Sequence, residues 1–245
     1  MKITYKDGVK YPVLVPNIKG MQGALAAKVS EIAVFGAASE AFTKKNINCT
    51  IDESIERFKA VIESAKENNI KVRGYVSCVM GCPYQGSIDP IVVDKVAQSL
   101  YQMGCYEISL GDTIGIGTPQ LTKVLFDSIN LPKDVLAAHF HNTYDRAISN
   151  LVVAFSHGIS VADSSVAGIG GCPYAKGASG NVATEDVLYL CELLGVEHGV
   201  DFKMIMDTGS FISDVLKRDN LSTVTEEDLQ ALPQRKHEVQ SLLIK

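Results

Sequence analysis

The feature that most constrains the fold is a repeated alternation of short apolar runs with longer amphipathic stretches. The apolar runs are rich in β-branched residues, which is typical of buried strands, whereas the amphipathic stretches have helical periodicity. Strands that are apolar almost throughout and alternate with helices predict a parallel sheet covered by helices. Such strands are predicted at residues 11–16, 31–38, 71–80, 105–113, 135–141 and 159–168.

The helical pattern is clearest at residues 50–69, where one apolar stripe runs from Ile51 to Ala65. Thr50 with Glu53 three residues later has the spacing of a capping box, in which each side chain bonds the backbone amide of the other residue. We therefore predict a helix that begins just after Thr50. Further helices are predicted at residues 20–29, 89–103, 119–129, 143–156, 183–194 and 201–217.

The distribution of polar residues along the predicted strands distinguishes between two parallel folds. In a (β/α)8 TIM barrel the chemistry lies at one rim, because the loops that follow the strands meet there. A doubly wound open sheet is instead marked by one glycine-rich turn after its first strand. Here the polar ends are spread over all the strands, which predicts a TIM barrel, although only six of its eight strand–helix units can be counted. These strand-end residues are Asn17, Ser39, Ser77, Asp112, His141 and Ser164.

Composition limits the number of domains and the kinds of partner. No low-complexity linker divides the chain, so residues 1–217 are predicted to form an incomplete TIM-barrel catalytic domain and the more polar residues 218–245 a C-terminal helical appendage. A net charge of −5 at pH 7, without a long basic run, argues against nucleic-acid binding. No stretch has the roughly 18 uncharged apolar residues of a membrane helix, and the N-terminus is too polar for a signal peptide. The six cysteines are expected to be free thiols, since a chain of this length does not need disulfides.

Two of the five histidines, His139 and His141, stand two residues apart at the end of a predicted strand. Residues at this spacing project from the same face of a strand. Two neighbouring imidazoles can bind one divalent cation when oxygen ligands complete its coordination shell. The alternative is a pair of hydrogen-bonded histidines at a strand end, and the spacing alone leaves both interpretations open.

The glycine-rich stretch at residues 168–181 predicts a mobile or tightly folded loop, because glycine is unfavourable inside helices and strands. Cys172 stands inside this loop, away from any apolar run that would explain it as a packing residue. A cysteine on a loop over a site can act as nucleophile or general acid, whereas the simpler interpretation is a flexible connection. Asn181 closes the loop and either caps the next helix or ligates a metal.

Two further residues on predicted strands are candidates for the site. Asp112 ends a strand before a glycine-rich turn, where an acid orients a ligand or a base, or else caps the helix near residue 119. Arg73 shares a strand face with Tyr75 and needs an anionic partner inside a barrel, because a buried unpaired charge is unfavourable. A substrate carboxylate or thioester oxygen would suit Arg73, and a neighbouring acid would do equally well.

Six segments of the sequence, taken together, carry a resemblance to a known family. They are YPVLVPNIKG, VFGAASEAFTKKNINC, RGYVSCVMGCPYQG, GCYEISLGDTIGIGTP, HFHNTYDRA and VADSSVAGIGGCPYAKGASGNVATEDV. In this order they closely resemble the 3-hydroxy-3-methylglutaryl-CoA lyase family, a branch of the metal-dependent lyase and condensing-enzyme TIM barrels. The resemblance runs from about Tyr11 to at least residue 215, and the GGCPYAKGASGN loop marks the lyase branch more sharply than the two histidines do.

The resemblance implies a role for each candidate residue. His139, His141 and Asn181 match ligands of a divalent cation, for which Mg²⁺ or Mn²⁺ is expected and Zn²⁺ is an alternative. Cys172 matches a catalytic cysteine, and Asp112 matches a catalytic aspartate next to the substrate.

The resemblance also implies the substrate and the setting. Arg73, Tyr75 and Asn46 match positions around an acyl-CoA substrate. The expected reaction is the cleavage of 3-hydroxy-3-methylglutaryl-CoA to acetyl-CoA and acetoacetate, a step of ketone-body formation and leucine degradation. A homodimer in the mitochondrial matrix is expected, with the cytoplasm as the alternative location.

One part of the family pattern has no counterpart in this sequence. The barrel of the family begins with a strand that ends in Arg-Asp-Gly, whose aspartate ligates the metal and whose arginine stabilises an enolate. No such strand precedes Tyr11, which agrees with the count of six strands and predicts a barrel without its first two units, with two open edges and an exposed apolar interior. We therefore expect this chain alone to have little or no lyase activity. The alternatives are an acetyl-CoA condensing enzyme of the same barrel family and a non-catalytic barrel fragment.

Overall fold

The computed structural model describes residues 6–171 and 180–243 and consists of one parallel sheet with helices. The strands are β1 (Val13–Leu14), β2 (Glu31–Ala37), β3 (Lys71–Ser77), β4 (Glu107–Asp112), β5 (Leu136–Phe140) and β6 (Val161–Ala162). The helices are α1 (Ile18–Ala26), α2 (Glu40–Ile47), α3 (Ile51–Glu67), α4 (Pro90–Met103), α5 (Pro119–Ser128), α6 (Ala147–Ser156), α7 (Thr184–Leu194), α8 (Phe202–Leu216) and α9 (Glu226–Leu243).

The order of the strands identifies the type of sheet. The six strands lie side by side in the order in which they occur in the chain, and each pairs with the next in parallel. A doubly wound sheet reverses its strand order at a switch point, whereas a barrel wall does not. The prediction of a barrel-type fold with six parallel strands is therefore confirmed. Within the described residues, β1 and β6 form the two edges and are not paired with each other.

The hydrophobic core lies between the sheet and the helices. Alternate strand residues such as Ile108 and Leu110 are fully buried on the face that the helices cover. On the helix side, Phe58 and Phe126 are also fully buried in this cluster. Because each such side chain contributes about 1.5–3 kcal/mol when it is buried, this one layer accounts for most of the apolar stabilisation.

The opposite face of the central strands is polar. Arg73 on β3, Glu107 and Ser109 on β4, and His139 on β5 lie on this face, together with Asp163 just after β6. The expectation of an apolar interior is thus wrong for these strands. Since neighbouring strands are in register, side chains of opposite charge meet across the sheet, as Arg73 does with Glu107.

The local structure differs from the prediction at the sheet edges and at one helix. The edge strands β1 and β6 are only two residues long, and in the described structure each pairs with a neighbour on one side. Helix α2 was not predicted, since its eight residues have no clear apolar stripe. It is defined by its ends: the Ser39 side chain accepts a hydrogen bond from the backbone N–H of Phe42, and Asn48 leaves the helix with a left-handed φ of 51°.

The C-terminal part of the chain packs against α7. Helix α9 lies along α7, where Lys236 forms an ion pair of 3.0 Å with Glu192. Asp186 on α7 accepts hydrogen bonds from the Ser222 hydroxyl at 2.8 Å and from the Thr223 backbone N–H at 2.9 Å. These contacts fix the position of α9, while the division into residues 1–217 and 218–245 stays a prediction.

Two expectations about composition concern the described residues only. The five cysteines in them, Cys49, Cys78, Cys82, Cys105 and Cys191, are buried free thiols. Among the helices of residues 6–171 and 180–243, none combines the length and apolar character needed to cross a bilayer.

The capping box at the start of α3 gives a test of the local structure. The Thr50 hydroxyl accepts from the Glu53 backbone N–H at 3.1 Å, and the Glu53 carboxylate accepts from the Thr50 backbone N–H at 2.8 Å. Thr50→Ala removes the first bond and is expected to lower the free energy of unfolding by about 1 kcal/mol in urea denaturation. Thr50→Ser keeps the hydroxyl and serves as the control. Equal midpoints for Thr50→Ala and Thr50→Ser would contradict a stabilising role for the box.

Candidate active site

A cavity of about 210 Å³ lies at the carboxyl ends of β2 to β5. This is the rim where a barrel places its chemistry, because the loops after the strands surround it. Its wall includes Asn46 from α2 and Tyr75 from β3, both predicted to surround a substrate. His139 from β5 and His141, which directly follows β5, also line it. The Tyr75 ring stacks on Phe35 with a centroid distance of 4.1 Å, which fixes its orientation in the wall.

The two histidines enter this cavity together, as their spacing predicts. Their ring centroids are 5.4 Å apart. His139 places Nδ1 3.0 Å from Oδ2 of Asp163, whereas Nδ1 of the buried His141 has no hydrogen-bond partner within the described residues. Two imidazoles at this separation can serve one cation, and the role of metal ligand stays a prediction.

Asn181 lies beside His141 because the two residues pair across a short antiparallel bridge. The backbone N–H of Asn142 donates to the carbonyl of Gly180 at 2.8 Å, which holds the two chain segments together. Residues opposed in this way have Cβ atoms about 4.5–5.5 Å apart. Asn181 does not cap α7, since Ala183 occupies the N-cap position. Of the two alternatives left open by the sequence, the helix cap is therefore not the one adopted.

Cys172 lies outside the described residues. Gly171, the last described residue before the gap, lines the cavity with the two histidines. Gly170 shows why this stretch needs glycine: its φ is 100°, and an added Cβ would come within 2.7 Å of the Asn181 side-chain nitrogen. The position of Asn181 thus depends on the glycine-rich segment.

The donor set fits a divalent cation that accepts nitrogen and oxygen ligands. Two imidazoles and a carboxamide are the side chains that the fold brings together, and all three are donors for such cations. Within residues 6–171 and 180–243, no three His, Cys, Asp or Glu side chains form a group that could hold a metal ion. His139, His141 and Asn181 would therefore supply positions around a cation but no negative charge.

The environment of His141 keeps its imidazole uncharged. Burial, and then the charge of His139, lower the pKa of His141 to about 4 from an ordinary value of 6.5, and the backbone of Thr113 offsets this only in part. At neutral pH the ring therefore carries a free lone pair on one nitrogen, which is the form that binds a metal.

Arg73 lies below the cavity and is fully engaged by acids of the chain itself. Its guanidinium bonds Asp163 with both terminal nitrogens, at 2.9 and 3.1 Å, and also bonds Glu107 and the Tyr75 hydroxyl. Burial alone would lower the pKa of Arg73, but the hydrogen bond and charge of Asp163 outweigh it, so that its pKa is raised. The alternative in which a neighbouring acid pairs with Arg73 is the one present.

Asp163 is the residue of this site that the sequence analysis missed. It receives hydrogen bonds from Arg73 and from the Ser109 hydroxyl, the latter at 2.7 Å, and it contacts His139. Burial would raise the pKa of Asp163, but the bonds to His139 and Arg73 lower it to about 2, so that the group stays ionised. Its only local signal was an acid inside the apolar run predicted at residues 159–168, and nothing in that run identifies its partners.

Asp112 is fully buried, and its carboxylate is turned into the loop that follows β4 rather than into the wall of the cavity. It accepts hydrogen bonds from the backbone N–H of Gly117 at 2.7 Å and of Ile116 at 3.2 Å. Burial raises the pKa of Asp112 to about 6, against these bonds, which lower it. Thr118 caps α5 instead, so Asp112 shapes the preceding turn, and its catalytic role stays a prediction.

The sequential parallel sheet, with a histidine-lined cavity at its carboxyl rim, defines the class as a β/α barrel with its site at the strand ends. The profile of the HMGL-like family matches residues 3–212. The chain belongs to this family. It is 55% identical over 226 residues to the cytoplasmic 3-hydroxy-3-methylglutaryl-CoA lyase of Rattus norvegicus, and the match covers 91% of this chain and 66% of that protein. It is 56% identical over 221 residues to the mitochondrial hydroxymethylglutaryl-CoA lyase of Gallus gallus, with coverage of 89% and 74%.

Solved structures agree with this assignment. Hydroxymethylglutaryl-CoA lyase from Pseudomonas aeruginosa superposes with a TM-score of 0.88 at 53% identity, over 90% of this chain and 74% of that one. An HMG-CoA lyase from Acinetobacter baumannii, solved in complex with coenzyme A and 3-methylmalate, gives a TM-score of 0.84 at 29% identity, over 90% and 73%. This chain thus spans about two thirds to three quarters of the length of these relatives, from 66% to 74%.

The pKa of His141 predicts how stability depends on pH. Because the folded-state pKa of about 4 lies below the ordinary 6.5, the stabilisation is complete above pH 6.5 and is lost as the pH falls toward 4. Asp112, whose pKa is raised to about 6, acts in the opposite direction over the same pH range in both proteins, so the loss is read from the comparison of the wild type with His141→Gln. Between pH 6.5 and 4 the stability of the wild type relative to His141→Gln should fall by about 3 kcal/mol in urea denaturation. The exposed His237 provides the matched control, since His237→Gln should keep the wild-type profile. Parallel pH profiles of the wild type and His141→Gln would show that His141 does not cause the effect.

Proposed function

We propose that this chain forms the cation- and substrate-binding rim of a lyase that cleaves 3-hydroxy-3-methylglutaryl-CoA to acetyl-CoA and acetoacetate. The observation that carries the proposal is the convergence of His139 and His141 in one cavity, with Asn181 paired beside them. The names of the relatives supply the substrate and the type of reaction. The structure in complex with coenzyme A supports an acyl-CoA as the ligand class.

The reaction requires one proton to leave the substrate and another to arrive. When the 3-hydroxyl proton is removed, the C2–C3 bond breaks, its electron pair passes to the acetyl-CoA fragment as an enolate, and the hydroxyl carbon becomes the ketone of acetoacetate. The enolate carbon then takes up a proton to give acetyl-CoA. A divalent cation, when bound, lowers the pKa of the hydroxyl and orients the substrate. We assign the returned proton to the Cys172 thiol, following the family resemblance.

The residues of this chain divide the remaining tasks among them. His139, His141 and Asn181 hold the cation, and Asp112 shapes the turn beside them. Asn46 and Tyr75 line the cavity where the acyl part of the substrate would lie.

Arg73 takes part in this arrangement through its neighbours. Its guanidinium is already shared by Asp163 and Glu107. We therefore propose that Arg73 acts on the substrate through Tyr75, whose hydroxyl it binds.

The finer assignments follow from the donor set and the relatives. We propose Mg²⁺ or Mn²⁺ as the cation, because oxygen ligands from the substrate would join the two imidazoles and the amide, with Zn²⁺ as the alternative. We propose a homodimer. Relatives are named both mitochondrial and cytoplasmic, and either location is consistent with them; we propose the mitochondrial matrix.

The experiment places these residues in a chain with the full length of a relative. A chimera joins the part of the Pseudomonas aeruginosa enzyme that precedes the matched region to residues 11–245, and acetoacetate release from 3-hydroxy-3-methylglutaryl-CoA is measured with Mg²⁺ or Mn²⁺. The chimera should cleave the substrate, and His141→Ala in it should lower kcat by about 10²-fold or more, since charge stabilisation at the reacting centre is lost. His237→Ala, on the exposed side of α9, is the control and should keep full activity.

Three other outcomes would change the proposal. Turnover of the 245-residue polypeptide at the rate of the chimera would contradict our expectation that it needs the Arg-Asp-Gly strand. Condensation of acetyl-CoA without cleavage would favour a condensing enzyme of the same barrel family. A folded chimera that neither cleaves nor condenses would favour a non-catalytic fragment.

A further inference from the structure

Asp163 contacts His139 at Nδ1 and is not among the residues that line the cavity. Oδ2 of Asp163 lies 3.0 Å from Nδ1 of His139, and the same oxygen accepts from the Ser109 hydroxyl at 2.7 Å. Arg73 holds both carboxylate oxygens, with Nη2 2.9 Å from Oδ1 and Nη1 3.1 Å from Oδ2. The carboxylate therefore cannot turn away from His139 without breaking several charge-assisted bonds.

The contact fixes where the imidazole carries its proton. An ionised carboxylate only accepts hydrogen bonds, so a bond at this distance requires a hydrogen on Nδ1 of His139. In a neutral ring the other nitrogen, Nε2, then has the lone pair. Since Nδ1 faces Asp163 and the ring also lines the cavity, Nε2 is the nitrogen left to face the ligand.

We propose that Asp163 is a positioning residue that holds His139 as the Nδ1–H tautomer, with the Nε2 lone pair directed into the cavity. The statement that this lone pair serves a cation rests on the proposed function. Carboxylates that orient metal-binding histidines in this way typically change metal affinity by about 10–100-fold when they are mutated.

The two histidines differ in whether a carboxylate contacts the ring. Nδ1 of His141 is buried without a hydrogen-bond partner in the described part of the chain, so no carboxylate sets its tautomer. His139 is more exposed, with 30% of its side chain accessible, and would rotate more freely without a partner. Asp163 thus fixes the orientation of the His139 ring, which packing alone does not fix.

Replacement of Asp163 by asparagine should disturb this arrangement in a defined way. Three donors converge on Oδ2 and a fourth lies at Oδ1, so an amide nitrogen at either position faces a group that needs an acceptor. The amide would keep its oxygen at the Oδ2 position, where three donors meet, and would turn its nitrogen toward Nη2 of Arg73. A neutral amide oxygen accepts more weakly than a carboxylate, so the preference of His139 for a hydrogen on Nδ1 is reduced. The competing tautomer, with the hydrogen on Nε2, has no lone pair there for a cation.

The test compares Asp163→Asn with Glu107→Gln. Both variants remove one acidic partner of Arg73, but in the described structure Glu107 has no contact with His139, so it controls for the loss of an ion pair. The tautomer of His139 is read from ¹⁵N NMR of ring-labelled histidine without metal, and cation binding from Mn²⁺ titration by EPR. Urea denaturation verifies that each variant is folded.

We expect the Nδ1–H tautomer to predominate in the wild type and in Glu107→Gln, and its share to be smaller in Asp163→Asn. Mn²⁺ affinity should fall by about 10–100-fold in Asp163→Asn and change less than about 3-fold in Glu107→Gln. A hydrogen on Nε2 of His139 in the wild type, or equal effects of the two variants, would overturn the proposal. If Asp163→Asn does not fold, the wild-type tautomer alone decides it. Absence of Mn²⁺ binding in the chimera, together with the expected tautomer in the wild type, would overturn the proposed function and leave the positioning role standing.

Discussion

The arrangement of the site depends on the buried ion pair between Arg73 and Asp163. Arg73 is only 7% exposed, and a charge at that depth is tolerated only when it is paired and hydrogen-bonded. Its partner lies 90 residues further along the chain, just after the last strand. The pair therefore links β3 to the segment after β6 across the inner face of the sheet. The orientations of Tyr75 and His139 follow from this link, because each of them contacts one member of the pair.

Because the inner face is polar, the hydrophobic core that stabilises the fold lies on the other side of the sheet. Parallel sheets are usually apolar on both faces, since helices or a packed barrel interior cover them. Here the inner side of β3 and β4 carries Arg73, Glu107 and Ser109, so the layer between the strands and the helices has to provide the hydrophobic core. The well-formed ends of α3, α4 and α5 are consistent with that demand, because each helix has a side-chain cap at its first turn.

The sequence predicts the parts of the structure that depend on periodicity and local capping. Helix α3 begins after Thr50 with the expected capping box, and the six strands fall inside the predicted runs. Helix α2 was missed because its pattern is weak. Asp163 was missed because its importance comes from partners distant in sequence, which no local pattern reveals. Asp112 shows a related limit: the sequence places it at a strand end, but the backbone amides of the next turn decide where the carboxylate points.

In this cavity, the direction in which a cation would be held and the strength with which it would bind depend on different groups. The three candidate ligands bring no negative charge of their own: His141 is neutral at physiological pH because burial lowers its pKa, and Asn181 is an amide. The negative charge nearby belongs to Asp163 and Glu107, and Arg73 neutralises part of it. A doubly charged cation held by neutral donors keeps most of its charge, so its affinity would depend strongly on an anionic oxygen supplied by another group. The described residues thus determine the direction from which a cation is bound. The strength of binding depends on the additional anionic oxygen. The acidity that the cation gives to a bound hydroxyl depends on the same oxygen.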